Sequence, residues 1–425
     1  MGKKLNFIVL TILVLICTFV ANNYKELSSA IDSGDTAWML VASAFVLLMT
    51  PGLSFFYGGM INKKNVISTM LQSFIALGVI SVLWVVVGFS LAFGESIGGI
   101  IGNPSTYFAF NNVGSNPNPA FSSTIPFLLF ALFQLKFAII TPALITGSFA
   151  GRVRFRSYIF FMVLFSIFIY SPLAHMTWHP DGLFRNWGVL DFAGGTVVHM
   201  SAGFAALAGA VFLGKRNTLT EDSINVPYVI LGTGLLWFGW FGFNAGSALG
   251  ANADAVIAFA NTNIASATAM ITWVFYERML GRKMSALGAC IGAVVGLVAI
   301  TPAAGFVNIG QSMFIGFIAS IISNWAINFK NKTGIDDTLD VFPSHGVGGI
   351  VGMLLTAVFA SEVGLIYGET TTWYNHLIAL VITSVYCFGG SYLLYFIVDK
   401  LLSMRVREDQ EDRGLDQSQH GEKID

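Results

Sequence analysis

Two short stretches set a carboxylate ahead of a histidine inside otherwise apolar sequence. In "DFAGGTVVHMSAGFAALAGAVFLG", Asp191 precedes His199; in "DDTLDVFPSHGVGGIVG", Asp340 precedes His345. An imidazole titrates near neutrality, donates at one nitrogen while accepting at the other, and can relay a proton. Ionisable groups inside a bilayer are costly and mark a path or a site. A lone histidine there also serves as a hydrogen-bonding strut between helices. His345, behind Pro343 and Ser344, further stands where a helix start needs capping. One histidine in each half, at matched positions, favours a shared role. Asp191 has two readings: a cap for the N–H groups of the following helix, about 12 Å of helix rise from His199, or a carboxylate that draws cations.

Aromatic residues supply a second chemistry. The chain is 14% aromatic with 38 phenylalanines. Phe133 and Phe137 are four apart and share a helix face; so do Trp240, Phe243 and Ser247 in "WFGWFGFNAGSA". Trp178, in "HMTWHPDG", falls at interfacial depth. Such stripes pack helices or face lipid, and they also form cages for small cations, because π faces attract ammonium groups.

Other chemistries find little support. The remaining histidines, His175, His179, His376 and His420, fall at membrane edges or in the tail, too scattered for the three or four ligands of a metal site. Cys17, Cys290 and Cys387 lie in apolar runs without metal spacing or a disulfide framework. No nucleophile–base pair stands out, so the chain reads as a non-enzyme with no cofactor and no nucleic-acid partner.

The elements that must position these residues are membrane helices. Of 425 residues, 55% are hydrophobic and only 11% charged, with a mean hydropathy of +0.71; a soluble domain carries about 25% charged residues. Apolar runs long enough for a ~30 Å hydrocarbon core fall near 36–58, 66–94, 122–148, 156–176, 192–213, 226–248, 253–275, 284–301, 308–328, 345–361 and 374–401. The expectation is an all-α integral membrane protein of eleven transmembrane helices, spanning residues 23–402. Ahead of them, residues 1–22 carry Lys3 and Lys4, an apolar core and small residues near Ala21, the pattern of a secretory signal peptide; an uncleaved twelfth helix is the rival. Residues 403–425 form a polar tail.

Lysine and arginine set the orientation. Alternate loops and the tail hold 17 of the 22, which puts the mature N-terminus outside and the C-terminus in the cytoplasm of a plasma or inner membrane. Helices one to five then enter from outside and six to ten from inside. A five-helix repeat is therefore inverted, with a final helix added, and inverted halves place a pathway at their interface. His199 and His345 each stand on the last helix of a half, and would meet near the midplane.

These motifs resemble the Amt/Mep/Rh ammonium transporter family, in its Amt branch. The resemblance is carried by "DTAWMLVASAFVLLMTPGLSFFYGGM", "LDFAGGTVVHMSAG", "WFGWFGFNAGSA", "GIDDTLDVFPSHGVGG" and "GLDQSQHGEKID", in family order from residue 35 to the end. It implies an outer recruitment site matching Trp178, Phe137 and Ser247, with Phe133 beside it and Asp191 shaping it from behind. It implies gating phenylalanines at Phe137 and Phe243, and a hydrophobic pore lined by His199 and His345. The substrate is then ammonium or ammonia, the assembly a homotrimer in membrane lipid, and the tail a contact for a PII-type signal protein. An ammonium sensor acting through that tail is the alternative, though about 24 residues after the last helix are few for an output domain. Two departures stand out. The stretch "WHPDGLFRNWGVLD" is one residue longer than in some members, and Lys136 sits within a helix, about 100° from the face of Phe133 and Phe137.

Overall fold

A computed structural model describes residues 2–21, 30–217 and 225–424, with side chains from residue 5. Helix α1 is Gly2–Val20, followed by α2, Ser33–Met60. The bundle continues with α3 (Lys63–Phe93), α4 (Phe127–Phe149), α5 (Phe155–Asn186), α6 (Gly195–Leu213), α7 (Val226–Ala248) and α8 (Ala253–Met279). The shorter α9 (Ala286–Ile300) precedes α10 (Ile309–Thr333), α11 (Phe342–Phe359) and α12 (Thr371–Leu402). Ten of the described helices are long and apolar enough to cross a membrane, so the chain is a multi-pass membrane protein. Nine of them match an expected span within about five residues; α5 overruns its expected end at 176, reaching Asn186.

Helix α9 matches the remaining expected span, 284–301, and it is short. Its 15 residues rise about 22 Å, less than a ~30 Å core requires. The regular helix ends there, and Thr301 opens a buried turn. Irregular backbone at such depth is tolerated where protein surrounds it or a cavity adjoins it.

The two halves meet through close helix pairs. α2 packs along α7, with Gly52, Gly59, Gly232 and Gly239 at the contact, where a side chain would collide with the facing helix. Small residues of this kind drive helix association where lipid supplies no hydrophobic contrast. α6 and α11 touch at Gly203 and Gly346: a Cβ added to Gly203 would fall 2.2 Å from the Gly346 nitrogen.

Helix α1 stands apart. Phe7 and Phe19 are 74% and 83% exposed, and most of its apolar side chains are uncovered. The junction expected at residues 22 and 23 lies outside the described residues.

The tail is not a solvated strand. After α12 it runs back across the bundle end that carries Lys64, Arg154 and Lys215. Arg154 N donates to the Met404 carbonyl and Val406 N to that of Arg152. Arg405 donates to the carbonyls of Leu213 and Lys215, each at 2.7 Å, and pairs with Glu411 at 3.0 Å. A short helix α13, Glu408–Arg413, follows. Asp416 then caps the start of α3, accepting from Ile67 N at 3.0 Å and Ser68 N at 2.7 Å.

Candidate functional site: an aromatic column ending on two histidines

Asp191 closes the N-terminus of α6. One carboxylate oxygen accepts from Gly194 N at 2.8 Å and Gly195 N at 2.6 Å. The other accepts from Thr196 N at 2.8 Å and the Thr196 hydroxyl at 2.5 Å. A carboxylate offers about four lone-pair sites, and all four are filled. Of its two readings, the cap is the one this geometry occupies. The tight approach needs Gly194, whose φ of +123° is disfavoured for residues bearing a Cβ.

The second half repeats this device in a different register from the one expected. Asp337, not Asp340, is the counterpart: it accepts from Val341 N at 3.1 Å and Phe342 N at 2.7 Å. Asp337 precedes His345 by eight residues, as Asp191 precedes His199. Asp340 instead pairs with Lys330 at 2.6 Å. Both histidines ride on π-helical turns, Gly195–Met200 and Phe342–Val347. Such turns re-aim a side chain within a helix and gather at functional sites.

His199 and His345 meet, their Nδ1 atoms 3.3 Å apart and both rings buried. Thr301, from the turn after α9, lies 3.2 Å from His199 Nε2. Its hydroxyl donates to the Leu297 carbonyl at 2.8 Å and accepts from Trp240 Nε1 at 2.9 Å. With the one hydroxyl proton engaged, His199 Nε2 must be the donor to Thr301. For two neutral rings this assigns the rest by hydrogen-bond accounting: His199 Nδ1 accepts, His345 Nδ1 donates, and His345 Nε2 is left bare as an acceptor.

Above the histidines the aromatics form one column. Trp178 meets Phe137 edge to face at 5.8 Å between ring centres, and Phe137 lies 4.2 Å from Phe243. Phe243 reaches His199 at 5.9 Å, and Trp240 reaches the same ring at 5.5 Å. Phe133 braces Phe137 at 4.9 Å. Phe133, Phe137 and Phe243 are fully buried, and Trp178 is partly exposed at the end of the column. The Trp178 Nε1 donates to the Asp191 carbonyl at 3.1 Å. Ser247 stands one turn beyond Phe243; its hydroxyl donates inward to the Phe243 carbonyl at 2.8 Å, leaving its lone pairs for an outside donor. Lys136 is half-buried, and no carboxylate among the described residues pairs with it.

The opposite end opens on a cavity of about 550 Å³ lined by Lys64, Lys215, Arg216, Asp336, Asp340 and Glu411. Arg216 grips Asp336 with two parallel bonds of 2.9 Å. Burial works to raise the Asp336 carboxyl, but Arg216 and Arg152 outweigh it and hold the group below the usual carboxylate range. Burial, with the charge of Asp340 adding to it, pushes the Asp337 carboxyl up to about 6.

Sequence reasoning did not find Thr301, whose single hydroxyl follows a wholly apolar helix, or the role of His376. That ring lies within α12: its Nε2 accepts from Leu190 N at 2.9 Å and its Nδ1 donates to the Met353 carbonyl at 3.0 Å. It thus ties the residue before Asp191 to α11.

A sequence model of the Ammonium Transporter Family matches residues 37–424. The chain belongs to the ammonium transporter family. Within it, the chain is 47% identical over 401 residues to an ammonium transporter of Aquifex aeolicus, covering 92% of this chain and 93% of that one. Against an ammonium transporter of Bacillus subtilis the identity is 43% over 402 residues, with 92% and 98% covered. The fold resembles Saccharomyces cerevisiae Mep2 with a TM-score of 0.85 at 33% identity, covering 90% and 89% of the two chains. It also resembles a protein described as a sensor Amt protein, with a TM-score of 0.84 at 30% identity, covering 91% and 98%.

Proposed function

We propose that this member of the ammonium transporter family carries ammonium across the plasma or inner membrane, with its tail in the cytoplasm. The observation that carries the reading is the pair of joined imidazoles at the foot of a closed aromatic column. Ammonium resembles potassium in charge and size, so a wet, charged pore would pass both. A dry passage penalises any bare cation heavily, and ammonium alone can shed a proton. Trp178, Phe137 and Ser247 recruit the cation at the rim, through π faces and a hydroxyl acceptor. Phe137 and Phe243 gate the way. The bare His345 Nε2 and the hydrogen-bonded pair beyond it accept ammonia's hydrogen bonds and relay the proton. Asp191 acts through the cap, holding α6 and the backbone carbonyl that aims Trp178.

The gathering of Lys64, Arg154 and Lys215 at the end where the tail docks supports a cytoplasmic C-terminus. The exposed α1 supports its reading as a cleaved signal. A homotrimer with one pore per subunit, and a PII-type partner at the tail face, complete the proposal. A sensor is the second reading, favoured by the likeness to the sensor Amt protein. Ion-resolved current and uptake in liposomes separate the two. Selective ammonium flux is expected; water or glycerol flux without ammonium flux would overturn the transporter.

A further inference from the structure

The start of α5 and the docked tail enclose a second, smaller pocket of about 380 Å³. Arg154, just ahead of α5, and Arg156 on its first turn line it, with Arg407, Gln410, Ser418 and Gln419 from the tail and Phe155 on its wall. Three guanidiniums and three neutral polar groups thus converge, and no carboxylate lines the space. Arg407 is held by Asp409 at 2.9 Å. Arg154 spends its Nε on the Arg405 carbonyl at 3.0 Å, leaving its terminal nitrogens to the pocket. Arg156 is exposed, with no ion pair among the described residues. Gln419 fixes the wall, accepting from Phe155 N at 2.7 Å and donating to the Val153 carbonyl at 3.0 Å.

Two features choose the ligand. Clustered guanidiniums match the geometry of a phosphate group, binding it through parallel N–H donors. The pocket also lies where α5 enters the membrane, beside apolar surface fit for acyl chains. Ser157, on the first turn of α5, donates to the Leu402 and Ser403 carbonyls. Next to them Leu401 is 64% exposed, and Phe396 and Leu393 continue the uncovered apolar face of α12 at 48% and 56%. Basic pockets at this level between membrane helices hold anionic headgroups. We infer that this pocket binds the phosphate of an anionic phospholipid and so fastens the tail to the bundle. Because four of the seven lining residues come from the tail, the ligand stabilises only the docked state, and occupancy shifts the tail toward it.

The test uses the purified full-length protein in detergent, titrated with phosphatidylglycerol, phosphatidylcholine or inorganic phosphate. Melting temperature and proteinase K clipping of the tail are followed together. Phosphatidylglycerol should raise the melting temperature and slow clipping. The double variant Arg156→Gln, Arg407→Gln should need roughly tenfold more of it for the same effect. Both residues are exposed, so a melting temperature equal to the parent's without lipid confirms folding; Arg154→Gln serves as a second, independent variant. Equal responses to phosphatidylcholine, or unchanged titrations in both variants, overturn the site. Full protection by inorganic phosphate alone overturns the lipid and assigns the pocket to a soluble anion.

Discussion

The Trp178 indole donates its one N–H to the backbone carbonyl of Asp191, 3.1 Å away. The rim of the aromatic column is therefore hung from the same residue that caps the helix carrying His199. Anything that loosens the cap tilts the tryptophan, and the two ends of the site are mechanically joined.

Trp178→Leu removes both the π face and this bond. A partly desolvated cation–π contact contributes about 2 kcal/mol, so half-saturating ammonium should rise about 30-fold while assembly is kept. Ser247→Ala should shift it in the same direction, less strongly. Concentration-dependent uptake checks both; a failure to assemble would instead mark these positions as packing.

His199→Ala and His345→Ala should each abolish selective ammonium transport, because each breaks the 3.3 Å Nδ1 pair. His199→Asp should conduct, and admit potassium, since it keeps a proton acceptor but adds charge. Paired ammonium and potassium currents decide. Parental ammonium rates with potassium still excluded, in His199→Ala, would reduce the histidines to struts.

Thr301→Val is isosteric and leaves Trp240 Nε1 and His199 Nε2 without their acceptor. Each buried donor left unpaired costs about 1–3 kcal/mol, and the tautomer order of the histidine pair loses its anchor. A lower melting temperature and weaker ammonium selectivity are expected, with both restored by Thr301→Ser. Equal loss in the serine variant would show that the methyl group, not the hydroxyl, matters.

Asp337 gives a pH dependence whose sign follows from its raised carboxyl. The folded state holds this proton up to about pH 6, while the unfolded chain releases it near 4. Between those limits the native state binds more protons, so this group makes stability fall as pH rises through the window. Comparing melting temperatures of the parent and Asp337→Asn from pH 4 to 7 isolates it: the parent's advantage should shrink as pH climbs. A constant difference across the window would show that Asp337 titrates as an ordinary carboxylate.

Truncation after Met404 removes Asp416 from the start of α3 and Glu411 from Arg405. Lower activity and lower stability are expected. Asp416→Ala alone should cost about 1 kcal/mol, the loss of a capping acceptor, read by thermal unfolding. Unchanged transport and stability in the truncation would leave the tail without a role.

Helix placement and the two histidines were legible because long apolar runs and an intramembrane imidazole leave strong marks in a sequence. The pairing of an aspartate with a histidine in each half was legible from the two motifs. Its register was not: Asp340 sits closer to His345 and resembles a cap, whereas Asp337 does the capping, eight residues ahead of His345 as Asp191 is ahead of His199. The Thr301 link was hidden, since it depends on where a short helix stops in three dimensions. The tail's docking was not legible in its polar composition: Arg405 meets Glu411, and Asp416 reaches α3, only through the fold.

The contact of Gly203 with Gly346 has a consequence for how the pair of imidazoles is held. Main chain meets main chain there, with no side chain between to be trimmed or swollen. The spacing of the two rings is thus gauged by the thickness of the polypeptide itself, a hard stop that no exchange of bulk elsewhere in α6 or α11 can reset. Variation in this protein can change the side chains around the two rings; the approach of the helices that carry them is set by main chain against main chain.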